Sequence, residues 1–383
     1  MPDKRHTYTY PTRIEYGPGA MKDFTAIVKE GEYKKGLLVT DDGIEKVGAA
    51  QKLRDYFNEQ GIEVVTFSGV KSNPTDDNVY DGAKVYKENG CEFIVALGGG
   101  SPIDAGKTIK VMATHDGPLE KYDDMKGGDK YIRNNMPPFY AIPTTAGTGS
   151  EVGRSSVITV KSTNKKTIIF SPYMMPDIAV LDPEITLSLP PKLTAATGVD
   201  AFVHNLEAYI MDVFHPMADG MAKEALGRCY KNLPIAVENG SDMAARGEML
   251  MASAMGAIAF QKGLGLNHAI AHALGVYYDM HHGLANAVVM LEVMRYNLSD
   301  EKVKEKYASL GSIIDCENTA ESVIETLEKW LDSLGMLKSL SSLGISEDQL
   351  QKIEDYAIGD PCYPLNPKKV EKGDVVALLK NIL

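Results

Sequence analysis

The sequence predicts a two-part protein: an α/β half built on a parallel sheet, followed by an all-helical half. Two patterns carry this reading. Up to about residue 187, short all-apolar runs alternate with helical stretches of roughly 10–15 residues, the signature of βαβ units. After Lys192 strand signals fade, and apolar residues recur at three- and four-residue steps. Length agrees, since 383 residues exceed what one compact core holds. The expected domains are 1–186, α/β, and 187–383, all-helical.

Residues 36–40 (GLLVT) form the first clear strand, meeting a turn at Asp41-Asp42-Gly43. A helix at 49–60, a strand at 63–67 and a helix at 77–89 follow, leading into the strand 93–97 (FIVAL), which stops at three glycines. Residues 138–143 and 178–181 add two more strands. Runs this uniformly apolar belong to strands covered on both faces. The prolines of DPEITLSLPP, at 182–191, mark the change of texture, and the clearest helices beyond it are 195–212, 218–237 and 244–262.

The net charge of -12 argues against nucleic acid or an anionic membrane as partner, because either calls for a basic face. No apolar run approaches the ~18–20 residues that span a bilayer. The opening MPDKRHTYTYP has charge but no apolar signal core, so a cytoplasmic location is expected. Cys91, Cys229, Cys316 and Cys362 form no metal-type cluster and read as reduced, mostly buried thiols.

Asp200 and His204 stand at i and i+4, which on a helix places both side chains on one face, about 6 Å apart. The pair gains weight from a second cluster. Four of the eight histidines (His268, His272, His281 and His282) fall within NHAIAHALGVYYDMHHG. His268 and His272 are again i and i+4; His281 and His282 follow a turn, directly before Gly283. One carboxylate with imidazoles makes an N/O site without thiolate, suited to Fe²⁺ or Zn²⁺. Not every histidine need be a ligand, so one is available for proton transfer.

The α/β half supplies a complementary feature. Gly98-Gly99-Gly100-Ser101 lies between a strand and a helix beginning near Pro102, where backbone N–H groups and the helix dipole suit a pyrophosphate. Thr144, Thr145, Gly147, Thr148 and Ser150 crowd small donors after another strand, fitting phosphate or ribose. Asp41, closing the first strand, can bond an adenosine ribose 2′-OH and repel a 2′-phosphate, favouring NAD over NADP; a turn-capping role is the alternative.

Taken together these segments resemble the iron-containing (group III) alcohol dehydrogenase family. The matching pieces are VTD at 39–41, NPT at 73–75, GGGSPIDAGK at 98–107, IPTTAGTGSEV at 142–152, ATGVDAFVHNLEAY at 196–209 and the histidine segment at 267–283, in the family's order. The resemblance implies a dinucleotide-binding domain and a helical domain with the active site in the cleft between them. It implies Asp200, His204, His268 and His282 as metal ligands, His282 rather than His281 because the family's ligand directly precedes a glycine. His272 then matches a non-ligand histidine near nicotinamide and substrate. Asp41 and Asn73 would meet the adenosine end, and Gly98, Gly99, Gly100 and Ser101, with Asp104 in the same motif, the pyrophosphate side. Thr144, Thr145, Thr148 and Lys166 would line the rest of the cofactor. The resemblance also suggests a homo-oligomer, a dimer or larger.

Just after Glu151-Val152 the chain departs from the common pattern, with Gly153 where many members carry threonine, then Arg154. That arginine can pair bidentately with a carboxylate, phosphonate or sulfonate of the substrate, or form a structural ion pair. The SEV-x-R segment and FQKGLG at 260–265 are similar to the 4-hydroxybutyrate dehydrogenase branch. The expected reaction is NAD(H)-linked interconversion of a short primary alcohol and its aldehyde, with an anionic tail. A neutral alcohol or diol is the alternative. A lyase or cyclase of the dehydroquinate synthase type shares the fold, but D-x-x-x-H and H-x₃-H fit the dehydrogenases better.

Overall fold

The computed structural model describes residues 8, 10, 12–162 and 165–383; the N-terminal segment read for a signal lies, apart from Tyr8 and Tyr10, outside the described residues. The chain forms two compact units. One comprises Tyr10–Thr145 and Gly149–Ser188; the other includes Ala146–Thr148 and Leu189–Leu383.

The first unit runs β1 (Arg13–Tyr16), α1 (Ala20–Glu30), β2 (Lys35–Val39), α2 (Asp42–Lys46), α3 (Ala49–Glu59), β3 (Glu63–Phe67), α4 (Asp76–Glu88), β4 (Phe93–Gly98), α5 (Gly100–Thr114), β5 (Phe139–Pro143), β6 (Ser155–Val160), β7 (Lys165–Phe170) and β8 (Ile178–Leu181). Six strands form a parallel sheet in the order β1-β8-β5-β4-β2-β3, while β6 and β7 make a separate antiparallel hairpin. β4, β5 and β8 are buried along their whole length, which is why they read as unbroken apolar runs. Alternate residues serve opposite faces: Leu37, Val39, Ile94 and Ala96 join Ile103 and Ile109 of α5, whereas Leu38, Val95 and Leu97 pack with Phe24 and Phe57.

Three features differ from the sequence reading. The turn expected at Asp41-Asp42-Gly43 is the start of α2, because the Asp41 carboxylate accepts the Ile44 N–H at 3.0 Å and caps a helix. β1 has no fully buried residue, so it leaves no apolar run. β6 and β7 alternate core and solvent positions over six residues each, with serine, threonine and lysine among them.

The sheet order places the binding loops. From β3 at one edge the chain returns to pair β4 on the other side of β2, so β2 and β4 flank the point where strand order reverses. In open α/β sheets the carboxyl ends at such a point are where ligands sit. Those ends carry Asp41 and Gly98–Ser101, and the Thr40 hydroxyl ties them by donating to the Leu97 carbonyl at 2.8 Å.

The second unit holds α6 (Pro191–Ile210), α7 (Pro216–Glu238), α8 (Met243–Ala259), α9 (Leu266–Tyr278), α10 (His282–Asn297), α11 (Glu301–Ala308), α12 (Ala320–Ser333), α13 (Leu350–Ile358) and α14 (Asp374–Lys380). α6 is buried on nearly every side, every residue from Gly198 to Ala208 being inaccessible, so it is the central helix. Its Phe202 and Leu206 pack with Leu226, Leu233, Met249 and Trp330, and a second core joins α9 and α10 to α13 and α14 through Ile270, Leu274, Val289, Ile353 and Leu379. Among the described residues no single helix is long and apolar enough to cross a membrane. Asp200 and His204 thus sit inside a hydrophobic bundle, where polar groups require partners.

Candidate metal centre and cofactor loop

Asp200 and His204 project from α6, His268 from α9, and His282 opens α10. One ligand atom from each lies within 4.8 Å of all the others. The Asp200 Oδ1 atom is the focus: the Nε2 atoms of His204, His268 and His282 stand 3.9, 3.9 and 3.4 Å from it. Asp200, His204 and His268 are buried, and His282 is partly exposed. Three imidazoles and a carboxylate converging at this spacing fit a divalent cation of the iron or zinc type.

The far side of two rings is committed. His268 Nδ1 lies 2.5 Å from Glu207 Oε2, and His204 Nδ1 lies 3.3 Å from the Gly147 carbonyl oxygen. Such partners set the tautomer and leave Nε2 as the donor to a cation. Glu207 is itself held by the Asn267 N–H at 2.9 Å, and burial pushes its carboxyl up to about 7. Burial also drives His268 and His282 well below the usual imidazole range, so both are neutral at pH 7. Burial alone would raise Asp200, but the surrounding imidazoles and the Asn286 amide outweigh it and hold the carboxyl at about 2. The Asn286 N–H, 2.7 Å from Asp200 Oδ1, adds to the imidazoles in holding this carboxyl low.

The structure separates the two adjacent histidines. His281 is the N-cap of α10, its Nδ1 accepting the Gly283 N–H at 3.2 Å, while His282 turns toward Asp200. Gly283 allows this: a Cβ there would lie 1.9 Å from the Ala196 carbonyl oxygen, so any side chain would push α10 away from α6. His272, one turn beyond His268, lies beside the cluster with its ring stacked on His282 at 5.4 Å. Its Nδ1 is 2.8 Å from Asp360 Oδ2. The half-buried Cys362 has its thiol within 4.8 Å of the ligand atoms of this pair, so one of the four cysteines does join a cluster with metal-type side chains. Cys91 and Cys229 are buried, Cys316 is half-buried, and none of the four is paired in a disulfide.

Sequence reasoning passed over Glu207, Asn267, Asn286 and Asp360. Glu207 was within reach, since it lies three residues beyond His204 on the same face of α6. Asn286 follows His282 by four, which is the same signal. Asp360 carried none.

In the α/β unit Gly98 ends β4 with φ +156°, and a Cβ there would strike the Pro102 ring at 2.5 Å. Gly99 lies against Thr145, whose Oγ1 would be 3.4 Å from an added Cβ. Gly100 and Ser101 begin α5, which has no side-chain cap, and the N–H groups of a helix's first turn suit an anion. The cradle that a Cβ would fill suits a pyrophosphate. The Thr144 N–H donates to the Gly98 carbonyl at 2.9 Å, bringing the threonine segment to this loop. The Ser101 hydroxyl donates to the Ser72 carbonyl at 2.6 Å, and so ties the loop carrying exposed Asn73 to the start of α5.

Asp104 has both oxygens engaged, by the Ser150 hydroxyl at 2.6 Å and the Val157 N–H at 2.9 Å; it braces the hairpin against α5. Lys107, fully buried, donates to Ser150 Oγ and the Ser155 carbonyl, each at 2.8 Å. Lys166 stands on β7 opposite Thr159, exposed. Thr148 is half-buried and belongs with the helical unit. The Arg154 guanidinium stacks on Phe170, 5.2 Å from the ring centre, a cation–π contact.

With the geometry in hand, likeness to known proteins has a definite meaning. Residues 11–183 match the model of iron-containing alcohol dehydrogenases, and residues 194–383 that of the C-terminal domain of the same family. The 4-hydroxybutyrate dehydrogenase of Cupriavidus necator is 38% identical, over 97% of this chain and 98% of that one. A crystal structure of 1,3-propanediol oxidoreductase superposes with a TM-score of 0.94 at 37% identity, covering 99% of this chain and 100% of the other. The sulfoacetaldehyde reductase of Bifidobacterium kashiwanohense, solved in complex with NAD⁺, gives 0.91 at 28% identity over 99% of both chains. The chain belongs to the iron-containing alcohol dehydrogenase family, and is an NAD-dependent oxidoreductase whose cofactors are iron and NAD.

Proposed function

We propose that Asp200, His204, His268 and His282 hold the iron, and that the enzyme interconverts a short primary alcohol and its aldehyde, preferring substrates with an anionic far end. The observation that carries the metal assignment is the convergence of three Nε2 atoms on Asp200 Oδ1, two of the rings being tied from behind by Glu207 and Gly147. Bound iron supplies a Lewis acid for the alcohol or aldehyde oxygen, and NAD supplies the hydride acceptor or donor.

The chain's own residues do the rest. His282, the partly exposed ligand, marks the side from which substrate arrives. His272 moves the proton: its Nδ1–H is held by Asp360, which leaves Nε2 to take up or give back a proton. Phe260, packed on His204 at 5.1 Å, keeps water from that ring. Asp41 and Asn73 bind the adenosine end of NAD; Gly98, Gly99, Gly100 and Ser101 form the pyrophosphate side, which Asp104 serves only indirectly, by bracing the hairpin against α5; Thr144, Thr145, Thr148 and Lys166 hold the remainder. Arg154, stiffened by Phe170, takes the substrate's anionic group. Likeness to the 4-hydroxybutyrate dehydrogenase and the sulfoacetaldehyde reductase supports that choice. A neutral diol is the second reading, favoured by the likeness to 1,3-propanediol oxidoreductase. The same proposal places NAD binding in the part before residue 187 and metal binding after it, in a cytoplasmic homo-oligomer whose size light scattering would measure.

The test is NADH oxidation by iron-reconstituted enzyme across anionic and neutral aldehydes, with Arg154→Ala alongside. Selective loss on the anionic substrates is expected; equal activity of the variant on both classes would move the reading to the diol. Asp200→Ala should retain neither iron nor activity.

A further inference from the structure

We propose that Asn286 is a positioning residue of the metal site: it fixes the Asp200 oxygen on which the imidazoles converge, and so sets how tightly and in what geometry a divalent cation is held. The inference rests on the ligand assignment above.

Asn286 is completely buried and one helical turn beyond His282 on α10. Its Nδ2 donates to Asp200 Oδ1 at 2.7 Å, and lies 3.3 and 3.4 Å from Nε2 of His282 and His268. The amide cannot be turned round. Its Oδ1 accepts from Asn267 Nδ2 at 2.7 Å, and reversal would set two amide N–H groups face to face and an oxygen against a carboxylate. Asn267 is held in turn, its backbone N–H donating to Glu207 Oε1, while Glu207 Oε2 meets His268 Nδ1. The result is an unbroken chain, Asp200–Asn286–Asn267–Glu207–His268, which starts on one ligand, ends on another and links α6, α9 and α10.

The choice of asparagine follows from what the position must supply. Asp200 Oδ1 needs one N–H to stop rotation of the carboxylate, and the donor must be neutral, because a cation there would compete with the metal and an anion would repel Asp200. Groups one step behind a ligand typically change metal affinity by about 10–100-fold when removed. A residue that merely filled space would act through packing alone, and an aliphatic side chain of similar size would replace it.

Asn286→Leu makes that distinction, since it preserves bulk and deletes the donor. Dissociation constants for Fe²⁺ and Zn²⁺ by chelator competition, the visible absorption of the Co²⁺-loaded protein, and urea unfolding of the EDTA-treated protein would be compared with wild type. Affinity about 10–100-fold weaker with an altered Co²⁺ spectrum is expected. Unchanged affinity and spectrum would overturn the proposal, even if unfolding shifted. Should Asn286→Leu not fold, Asn267→Ala, which frees the amide but keeps the donor, must weaken Fe²⁺ binding, and wild-type affinity there refutes the idea equally. Failure of the ligand assignment looks different: Asp200→Ala would then bind metal as wild type does, and the inference would fall with it.

Discussion

Asp360→Asn probes the proton path, because the two oxygens of this carboxylate have separate duties. Oδ2 accepts from His272 Nδ1 at 2.8 Å, and Oδ1 accepts the Cys362 N–H at 2.9 Å. Burial would raise this carboxyl, but the hydrogen bond and charge of His272 and the Cys362 N–H outweigh it and hold it below its ordinary value, so it is ionised at neutral pH. An ionised carboxylate only accepts, which puts the imidazole proton on Nδ1 and keeps Nε2 basic. Asparagine has a single carbonyl oxygen. If that oxygen keeps the Cys362 N–H, the NH₂ group faces His272 Nδ1, the ring proton moves to Nε2, and the base is lost. The opposite orientation rescues the tautomer but leaves the Cys362 N–H without an acceptor, at about 1–3 kcal/mol. At about 1.4 kcal/mol per tenfold, the productive tautomer becomes roughly 5- to 150-fold rarer. The expected outcome is a kcat about 10–100-fold lower at pH 7, within that range, with unchanged KM for NAD and unchanged iron content. Steady-state NAD reduction and metal analysis on the same samples would measure it. Wild-type kcat at full iron loading would refute the assignment of His272 as the proton carrier.

Gly283→Ala places a methyl group where Ala196 O is 1.9 Å away, so α10 must shift and draw His282 from Asp200; weaker iron retention and about 1–3 kcal/mol lower stability are expected, and undiminished iron retention would disprove the reasoning. Glu151→Gln addresses pH. Burial lifts Glu151 to about 7 and lowers Lys107 to about 8, against ordinary values of 4.5 and 10.5. The folded state therefore holds the Glu151 proton more tightly than the unfolded chain does, and stability falls by up to roughly 3 kcal/mol as pH rises from 4.5 through 7. For Lys107 the unfolded chain binds the proton more tightly, so stability recovers between pH 8 and 10.5. Urea midpoints across pH 5–10 should show both limbs in wild type and only the upper one in Glu151→Gln.

The parts of the fold that could be read directly are those whose burial is uniform. β4, β5 and β8 have neighbours on both faces, so nearly every residue is apolar and a short window suffices. The edge strand β1 and the hairpin β6–β7 are covered on one face at most, and their sequences carry serine, lysine and glutamate where solvent allows. Asp41 illustrates a different limit. A capping aspartate before glycine signals a turn and a helix start equally, and only the Ile44 N–H, three residues on, distinguishes them.

The site divides along a similar line. The proposed ligands are carboxylate and imidazole, and helix geometry sets Asp200 and His204 one turn apart, so chemistry and periodicity pointed to the same residues. Of the groups that aim those residues, Glu207 and Asn286 keep helical spacing to His204 and His282, but the side chains they contact lie far away in sequence, and Asp360 carries no local signal at all. Glu207 reaches His268 across 61 positions, Asn286 reaches Asp200 across 86, and Asp360 reaches His272 across 88. Which partner each one meets is decided by the tertiary fold, and no local window contains that. His281 and His282 show how little separates the two kinds of information. Both are histidine, adjacent and before the same glycine, yet one caps a helix through Gly283 N–H and the other faces Asp200. The choice between them is made by Gly283, whose missing side chain lets α10 start against the Ala196 carbonyl. The pairing of histidine with a following glycine is thus a packing requirement written into a metal motif.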